Sequence, residues 1–207
     1  MNSIKKYLHE YLEQAGKSDG DRTYVKTTSG SYSYRQVYDM VLKYENFFKE
    51  NQIRSTERVI IYSSKNVSSI AIMAACSRAK AIYVPISSAN PAPRAILIIN
   101  ETEPHFVVCD KLTGLELIEA GLNINLLLEE DEINIYFYTD SGKLLKESDN
   151  IGFILFTSGS TGNPKGVIIS HAAAGAFIQW SSEEMGISKV DRIASIAPFN
   201  FDLSVFD

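Results

Sequence analysis

Between Arg58 and Cys109 the sequence alternates short, continuously apolar runs with segments of helical periodicity, and no other feature limits the possible folds so strongly. Arg58 to Tyr62, Ala81 to Pro85 and His105 to Cys109 read as strands, with helices predicted over Asn66 to Ala79 and Pro91 to Asn100. A strand that is apolar at successive positions is buried on both faces, and a helix between two such strands supplies the crossover that parallel pairing needs. The expectation is an α/β fold: layered, mostly parallel sheets flanked by helices.

The flanking segments extend the same pattern. Ile4, Tyr7, Leu8, Tyr11 and Leu12 recur at helical spacing and predict an N-terminal amphipathic helix ending near Gly16. Arg22 to Thr28 and Ser31 to Tyr34, separated by Ser29-Gly30, predict a hairpin. Ser33 followed by Gln36 is a capping-box signal for a long helix whose apolar stripe is Val37, Val41, Tyr44, Phe47 and Phe48. After Cys109 come a short helix, the runs Asn123 to Leu128 and Ile133 to Tyr138, a turn at Asp140-Ser141-Gly142, and a strand over Ile151 to Phe156.

Composition narrows the function classes. With 207 residues and 45% hydrophobic content, the chain can bury a core without disulfides or structural metals. Lys and Arg number 20 against 25 Asp and Glu, and no stretch gathers the basic residues as a phosphate-tracking surface requires, so nucleic-acid binding is disfavoured. The N-terminus lacks the apolar segment of a secretory signal, and the longest uncharged apolar run, Ile70 to Cys76, is far short of a membrane span, so the chain reads as cytoplasmic with no membrane partner. Cys76 and Cys109 read as reduced core residues. His105, on an apolar strand, reads as a satisfied core histidine, and Glu129-Glu130-Asp131-Glu132 as a solvated acidic surface rather than a metal site.

The most informative stretch follows the strand ending at Phe156. Thr157-Ser158-Gly159-Ser160-Thr161-Gly162-Asn163-Pro164-Lys165-Gly166 packs three glycines, four hydroxyls and one lysine into ten residues. Glycines let backbone N–H groups approach an anion, hydroxyls donate to its oxygens, and Lys165 adds a mobile full charge, so the composition suits a polyphosphate. These are also common turn formers, and a solvent-exposed hairpin turn is the plainer alternative. Ten residues is long for such a turn, which favours the phosphate reading. Pro164 occupies the Walker A glycine position and Thr157 the first Rossmann glycine position, so neither of those phosphate loops is present.

Phe156 to Val167 resembles the signature phosphate-binding motif of the adenylate-forming (AMP-binding) superfamily. Tyr32 to Val37 and Glu57 to Ile61 resemble earlier segments of that family in the same order. Lys80-Ala81-Ile82-Tyr83-Val84-Pro85-Ile86 resembles its Lys-Ala-Gly-x-x-Tyr-Val-Pro-Leu-Asp segment, with Ala81 in place of the glycine and Ser87 in place of the aspartate. Pro198 to Val205 resembles the Phe-Asp-x-Ser-Val motif of amino-acid-activating members, and together with the helix around Phe177 to Trp180 it looks closest to D-alanine:carrier protein ligases and nonribosomal peptide synthetase adenylation domains.

The resemblance implies that residues 1–207 are an incomplete N-terminal part of the large domain of an ATP-dependent ligase. Such a ligase would activate an amino acid as its aminoacyl-adenylate and transfer it to the phosphopantetheine thiol of a carrier protein. Thr157, Ser158, Gly159, Ser160, Thr161, Gly162 and Lys165 would hold the β- and γ-phosphates of ATP; Asp202 would bind the α-ammonium group, with Phe201 walling the substrate pocket. None of them is assigned as an acid or base. On residue type alone Asp202 is equally a strand-end or N-cap aspartate. His171, opening the next helix, reads as structural. Magnesium is implied, its ligands expected downstream of Asp207, and the abrupt stop at Phe206-Asp207 reads as a cut, so the chain alone is expected to be inactive. The alternatives are part of an acyl-CoA synthetase for a simple carboxylic acid, which has no use for Asp202, and a non-catalytic phosphate-binding fragment.

Overall fold

A computed structural model describes residues 6–139, 150–158 and 163–205. The elements run α1 (His9–Ser18), β1 (Thr23–Lys26), β2 (Ser31–Ser33), α2 (Tyr34–Glu50), β3 (Arg58–Ser63), α3 (Val67–Arg78), β4 (Ile82–Ser87), α4 (Ala92–Thr102), β5 (Phe106–Cys109), α5 (Lys111–Glu119), β6 (Ile124–Glu129), β7 (Asn134–Tyr138), β8 (Ile151–Ser158), β9 (Pro164–Ser170) and α6 (His171–Glu184), then a 3-10 turn over Asp202–Val205. The predicted N-terminal helix begins at His9 and runs past Gly16 to Ser18, while Ile4 and the turn Asp140-Ser141-Gly142 lie outside the described residues. No helix among the described residues is long and apolar enough to cross a membrane.

Seven strands form one sheet in the order β6-β7-β5-β3-β4-β8-β9. The central strand β3 pairs in parallel with β4 and β5, and β4 pairs in parallel with β8. All six residues of β3 are buried, because helices cover both faces: Val59 and Ile61 join the core under α2 and α3, while Ile60 and Tyr62 join the core under α4 and α5. Both edges are antiparallel, since β7 reverses against β5, β6 against β7, and β9 against β8. Five of the seven strands still point the same way, which is the mostly parallel α/β layering the sequence predicts.

Local chemistry explains where the elements start and stop. The capping box is formed: Gln36 N–H donates to Ser33 Oγ at 3.2 Å, and Ser33 N–H to Gln36 Oε1 at 2.8 Å, which fixes the start of α2 and stabilises it by about 1 kcal/mol. Its stripe buries Val37, Val41, Tyr44 and Phe48, with the Phe48 ring stacked 5.5 Å from that of Phe106. Arg78 ties three helices together, its guanidinium reaching Glu13 of α1 at 2.7 Å and Glu45 of α2 at 2.8 Å. Buried Arg58 donates to the carbonyls of Thr102 and Glu103 at 2.6 and 2.7 Å, satisfying the end of α4.

Helix α3 ends in a Schellman motif, with Ala81 N–H bonded to Cys76 C=O and Lys80 N–H to Ser77 C=O. The left-handed residue is Lys80, at φ +58°, and not Ala81. Counted back from Tyr83, the glycine of the Lys-Ala-Gly-x-x-Tyr segment falls at position 80, so it is Lys80 that replaces it and Ala81 that follows it. Ser87, standing for the aspartate, keeps a turn-forming role by accepting from Ala89 N–H at 3.2 Å.

Cys76 and Cys109 are free and buried, and burial pushes both thiols up. The expected satisfied core histidine is met at one nitrogen only: His105 Nε2 lies 3.2 Å from Asn51 C=O, whereas Nδ1, 3.3 Å from Glu57 Oε2, makes no hydrogen bond among the described residues. The acidic run departs from a purely solvated surface. Glu130 takes the Tyr44 hydroxyl at 2.7 Å and pairs with Lys43, Glu129 pairs with Lys111, and Glu132 accepts from Ser68. These contacts fasten the β6–β7 turn to α2 and α3.

Candidate nucleotide site

The carboxyl ends of the parallel strands gather on one edge of the sheet. Ser63 of β3 pairs with Ser87 of β4, and the Tyr83–Phe153 register brings the end of β8 to the same level. β4 lies on one side of β3 and β5 on the other, so α3 and α4 cover opposite faces. The connections therefore part between β3 and β4, the place where open α/β sheets form a ligand crevice. The hydroxyl-rich segment leaves β8 beside that crevice.

Its form differs from the expected ten-residue loop. Thr157 and Ser158 are the last residues of β8, Pro164 to Gly166 open β9, and the two strands pair as Thr157↔Lys165 and Ser158↔Pro164. The strands thus reach inward to Ser158 and Pro164 from either side, which removes the ten-residue loop length that favoured a phosphate loop over a turn. Gly159, Ser160, Thr161 and Gly162 lie outside the described residues. Thr157 Oγ1 is 3.4 Å from Lys165 C=O, and the Thr157 and Lys165 side chains are exposed. The third glycine has a packing reason, since a Cβ on Gly166 would stand 3.0 Å from Ile154 and 3.1 Å from the Phe156 ring.

His171 is far from these strand ends. Only 1% exposed, it sits at the start of α6 with Nδ1 3.1 Å from where a Cβ on Gly152 would stand, and the Tyr7 ring meets it edge-on at 5.2 Å. Gly152 is at the opposite end of β8, about 20 Å from Ser158 at strand rise, which removes His171 from phosphate contact. Neither ring nitrogen has a hydrogen-bond partner among the described residues, and burial pushes the imidazole down to about 4, with His9 adding to the shift.

The second predicted element, Pro198 to Val205, is folded locally. Phe201 N–H donates to Pro198 C=O at 2.9 Å, and Ser204 N–H to Phe201 C=O at 3.0 Å. Asp202 opens the 3-10 turn and its Oδ1 accepts from Leu203 N–H at 2.9 Å. Phe201 and Leu203 are 52% and 60% exposed and Asp202 is exposed too, so its carboxylate is solvated and not buried between the two apolar side chains. Ser204 and Val205 line an open groove of ≈ 680 Å³ together with Tyr83, Phe153 and α1, whereas Thr157 and Lys165 do not. Neither Asp202 and Phe201 nor Thr157 and Lys165 line that groove.

One residue that sequence reasoning passes over belongs to this edge. Lys65, in the turn after β3, donates to Ser195 Oγ and Ala197 C=O at 2.5 Å each, and its ammonium lies 5.0 Å from the Phe199 ring centroid. A lysine in a polar strand-to-helix turn carries no sequence signal distinguishing it from a solvated one.

Comparison with known proteins adds lineage to this geometry. A family described as AMP-binding enzyme matches residues 12–207. The L-proline–L-prolyl-carrier protein ligase of Pseudomonas fluorescens is 29% identical over 98% of the chain, which spans 42% of that protein. The D-alanine–D-alanyl carrier protein ligase of Bacillus cytotoxicus is 26% identical over 97% of the chain, which spans 40% of it. The crystal structure of IdnL1 superposes with a TM-score of 0.79 at 24% identity, covering 97% of this chain and 40% of that one.

Proposed function

Because the chain belongs to the AMP-binding enzyme family, we propose that it is the phosphate-holding portion of an ATP-dependent ligase that makes an aminoacyl-adenylate and passes the aminoacyl group to a carrier-protein thiol. The supporting observation is the position of the paired strand ends that carry Thr157 and Lys165, at the carboxyl edge of the parallel strands beside the crevice between β3 and β4; the sequence between them supplies the further hydroxyls and glycines. The substrate carboxylate attacks the α-phosphorus of ATP, the bond to the bridging oxygen breaks, and pyrophosphate leaves. Such an in-line displacement asks the protein chiefly for positioning and charge neutralisation. Thr157, Ser158, Ser160 and Thr161 donate to the departing phosphates, Gly159 and Gly162 let the backbone approach them, and Lys165 follows their charge. Asp202 receives the α-ammonium group and Phe201 walls its side chain.

Among the described residues no three His, Cys, Asp or Glu side chains come together as a metal site. The exposure of Asp202 favours one second reading, a portion that holds ATP phosphates without selecting an amino acid.

The test is equilibrium binding of ATP, D-alanine and L-proline to the 207-residue chain, followed by amino-acid-dependent pyrophosphate exchange. Lys165→Ala is expected to weaken ATP binding by about tenfold or more, the scale of one charge-assisted contact. Asp202→Ala is expected to spare ATP and weaken the amino acids; equal loss for des-amino analogues removes the ammonium role. Little or no exchange is expected from this chain alone, and robust exchange overturns that expectation.

A further inference from the structure

The contacts of Lys65 reach the segment that carries Asp202. Its ammonium engages the Ser195 hydroxyl, the Ala197 carbonyl and the Phe199 ring, so it holds an irregular stretch, bent at Ala197 and turning at Phe199, at three points. Beyond Phe199 the chain closes on itself. Ser204 Oγ donates back to Phe199 C=O at 3.1 Å, and the Phe201 and Ser204 amides bond to Pro198 and Phe201. Residues 198–204 are therefore a small unit hinged on Phe199, and its place follows the place of residues 195–199.

Burial does little to hold that stretch, since Ile193, Ile196, Phe201 and Leu203 are all exposed. At its far end Val205 packs beside Phe153, Leu155 and Ala174. An ammonium bonded to a hydroxyl and a carbonyl and capped by an aromatic face is a strong, directional clamp for such a segment. Lys65 itself is rigidly based, in the turn between the fully buried β3 and α3, whose start is capped by Asn66 accepting from Ser69 N–H at 2.7 Å.

We propose that Lys65 is a positioning residue: it fixes residues 195–199 at the carboxyl edge of β3 and so sets where Asp202 stands relative to the β8–β9 hairpin. This rests on the reading of Asp202 as the amino-acid contact. Lys65 touches neither ATP nor the amino acid and acts only through the segment it holds.

The experiment compares the 207-residue chain with Lys65→Met and Lys65→Arg. Amide hydrogen exchange is followed over residues 195–205, and D-alanine, L-proline and ATP are titrated separately. In Lys65→Met the Phe201 and Ser204 amides are expected to exchange about tenfold faster, the scale of one lost charge-assisted bond, with Lys65→Arg close to wild type. Amino-acid affinity falls with the exchange change, and ATP affinity holds. Unchanged exchange in Lys65→Met overturns the proposal, as does an equal loss of ATP and amino-acid binding, which marks general damage. If exchange is faster in Lys65→Met but the wild-type chain binds neither amino acid, the amino-acid reading of Asp202 fails while the placement by Lys65 stands. Should Lys65→Met fail to fold by circular dichroism, Ser195→Ala and Phe199→Leu remove its partners instead and are read by the same outcomes.

Discussion

The two edges of the sheet are both antiparallel hairpins, yet they are held in different ways. At one edge β6 and β7 are stapled by side chains: Glu130 to Lys43 and Tyr44, Glu129 to Lys111, and Tyr136 packed so closely on α5 that a Cβ on Gly114 would stand 2.1 Å from its hydroxyl. At the other edge β9 rests on its ladder to β8, leaving Val167 and Ile168 42% and 55% exposed, and the paired strand ends carry the exposed Thr157 and Lys165. The stapled edge closes the sheet, while the open one presents chemistry. Regions that bind ligands are commonly drawn from the less fastened parts of a fold.

Three substitutions probe this contrast. The largest effect is expected at the stapled edge. Gly114→Val forces Tyr136 out of its seat and should cost about 3 kcal/mol, read as a lower urea midpoint with unchanged slope. A cost below about 0.5 kcal/mol, the range of surface substitutions, means the staple is loose.

An intermediate effect belongs to the base of the open edge, where His171 is buried against Gly152, Tyr7 and α1, with His9 and Glu10 the charged groups facing it. Its pKa is about 4 folded against 6.5 unfolded. The unfolded chain therefore takes up the proton first as pH falls. Stability is full above pH 6.5, declines from there towards pH 4, and levels off below. A loss of about 2 kcal/mol across that window is expected from this group, smaller than the full shift implies because neighbouring water relaxes the penalty. His171→Phe should flatten the decline in urea titrations at several pH values, leaving the part that His9 contributes through its own lowered pKa. The same slope in wild type and variant would exclude His171 as the source. At the exposed ladder itself, Ile168→Thr should change stability by less than about 0.5 kcal/mol, since its side chain is already more than half in water.

Much of the centre was legible before any coordinates. The apolar runs of β3, β4 and β5 announce burial on two faces, and Ser33 with Gln36 announces the start of α2 through a hydrogen-bond pair that depends only on local spacing. The edges were not legible in the same way, because an apolar run does not say whether its neighbour runs parallel or antiparallel. That choice is made between segments well apart in the chain, as when β7 (Asn134–Tyr138) takes its place antiparallel beside β5 (Phe106–Cys109). Lys80 was misread for a related reason: a left-handed residue at a helix end is a property of the backbone path, visible from composition only when glycine occupies it. In the candidate site, the residue types of Thr157 to Lys165 were readable, but the antiparallel pairing of Thr157 with Lys165 and of Ser158 with Pro164 was not. Lys65 was invisible because its partners lie some 130 residues away.

The single parallel pairing between β4 and β8 has a consequence for the order of assembly. Tyr83 and Phe153 meet across about 70 residues of intervening chain, whereas the β8–β9 hairpin closes through a turn of a few residues. Local hairpins form in microseconds, but bringing distant strands together carries a loop-closure entropy cost before any contact rewards it. The hairpin is therefore expected to exist as a nascent, self-contained piece before it docks. The docking event that seats it at the carboxyl ends of β3 and β4 is then the late step of folding. On that path the β8–β9 rim is the last part of the sheet to be built and the first to be lost when the chain begins to unravel.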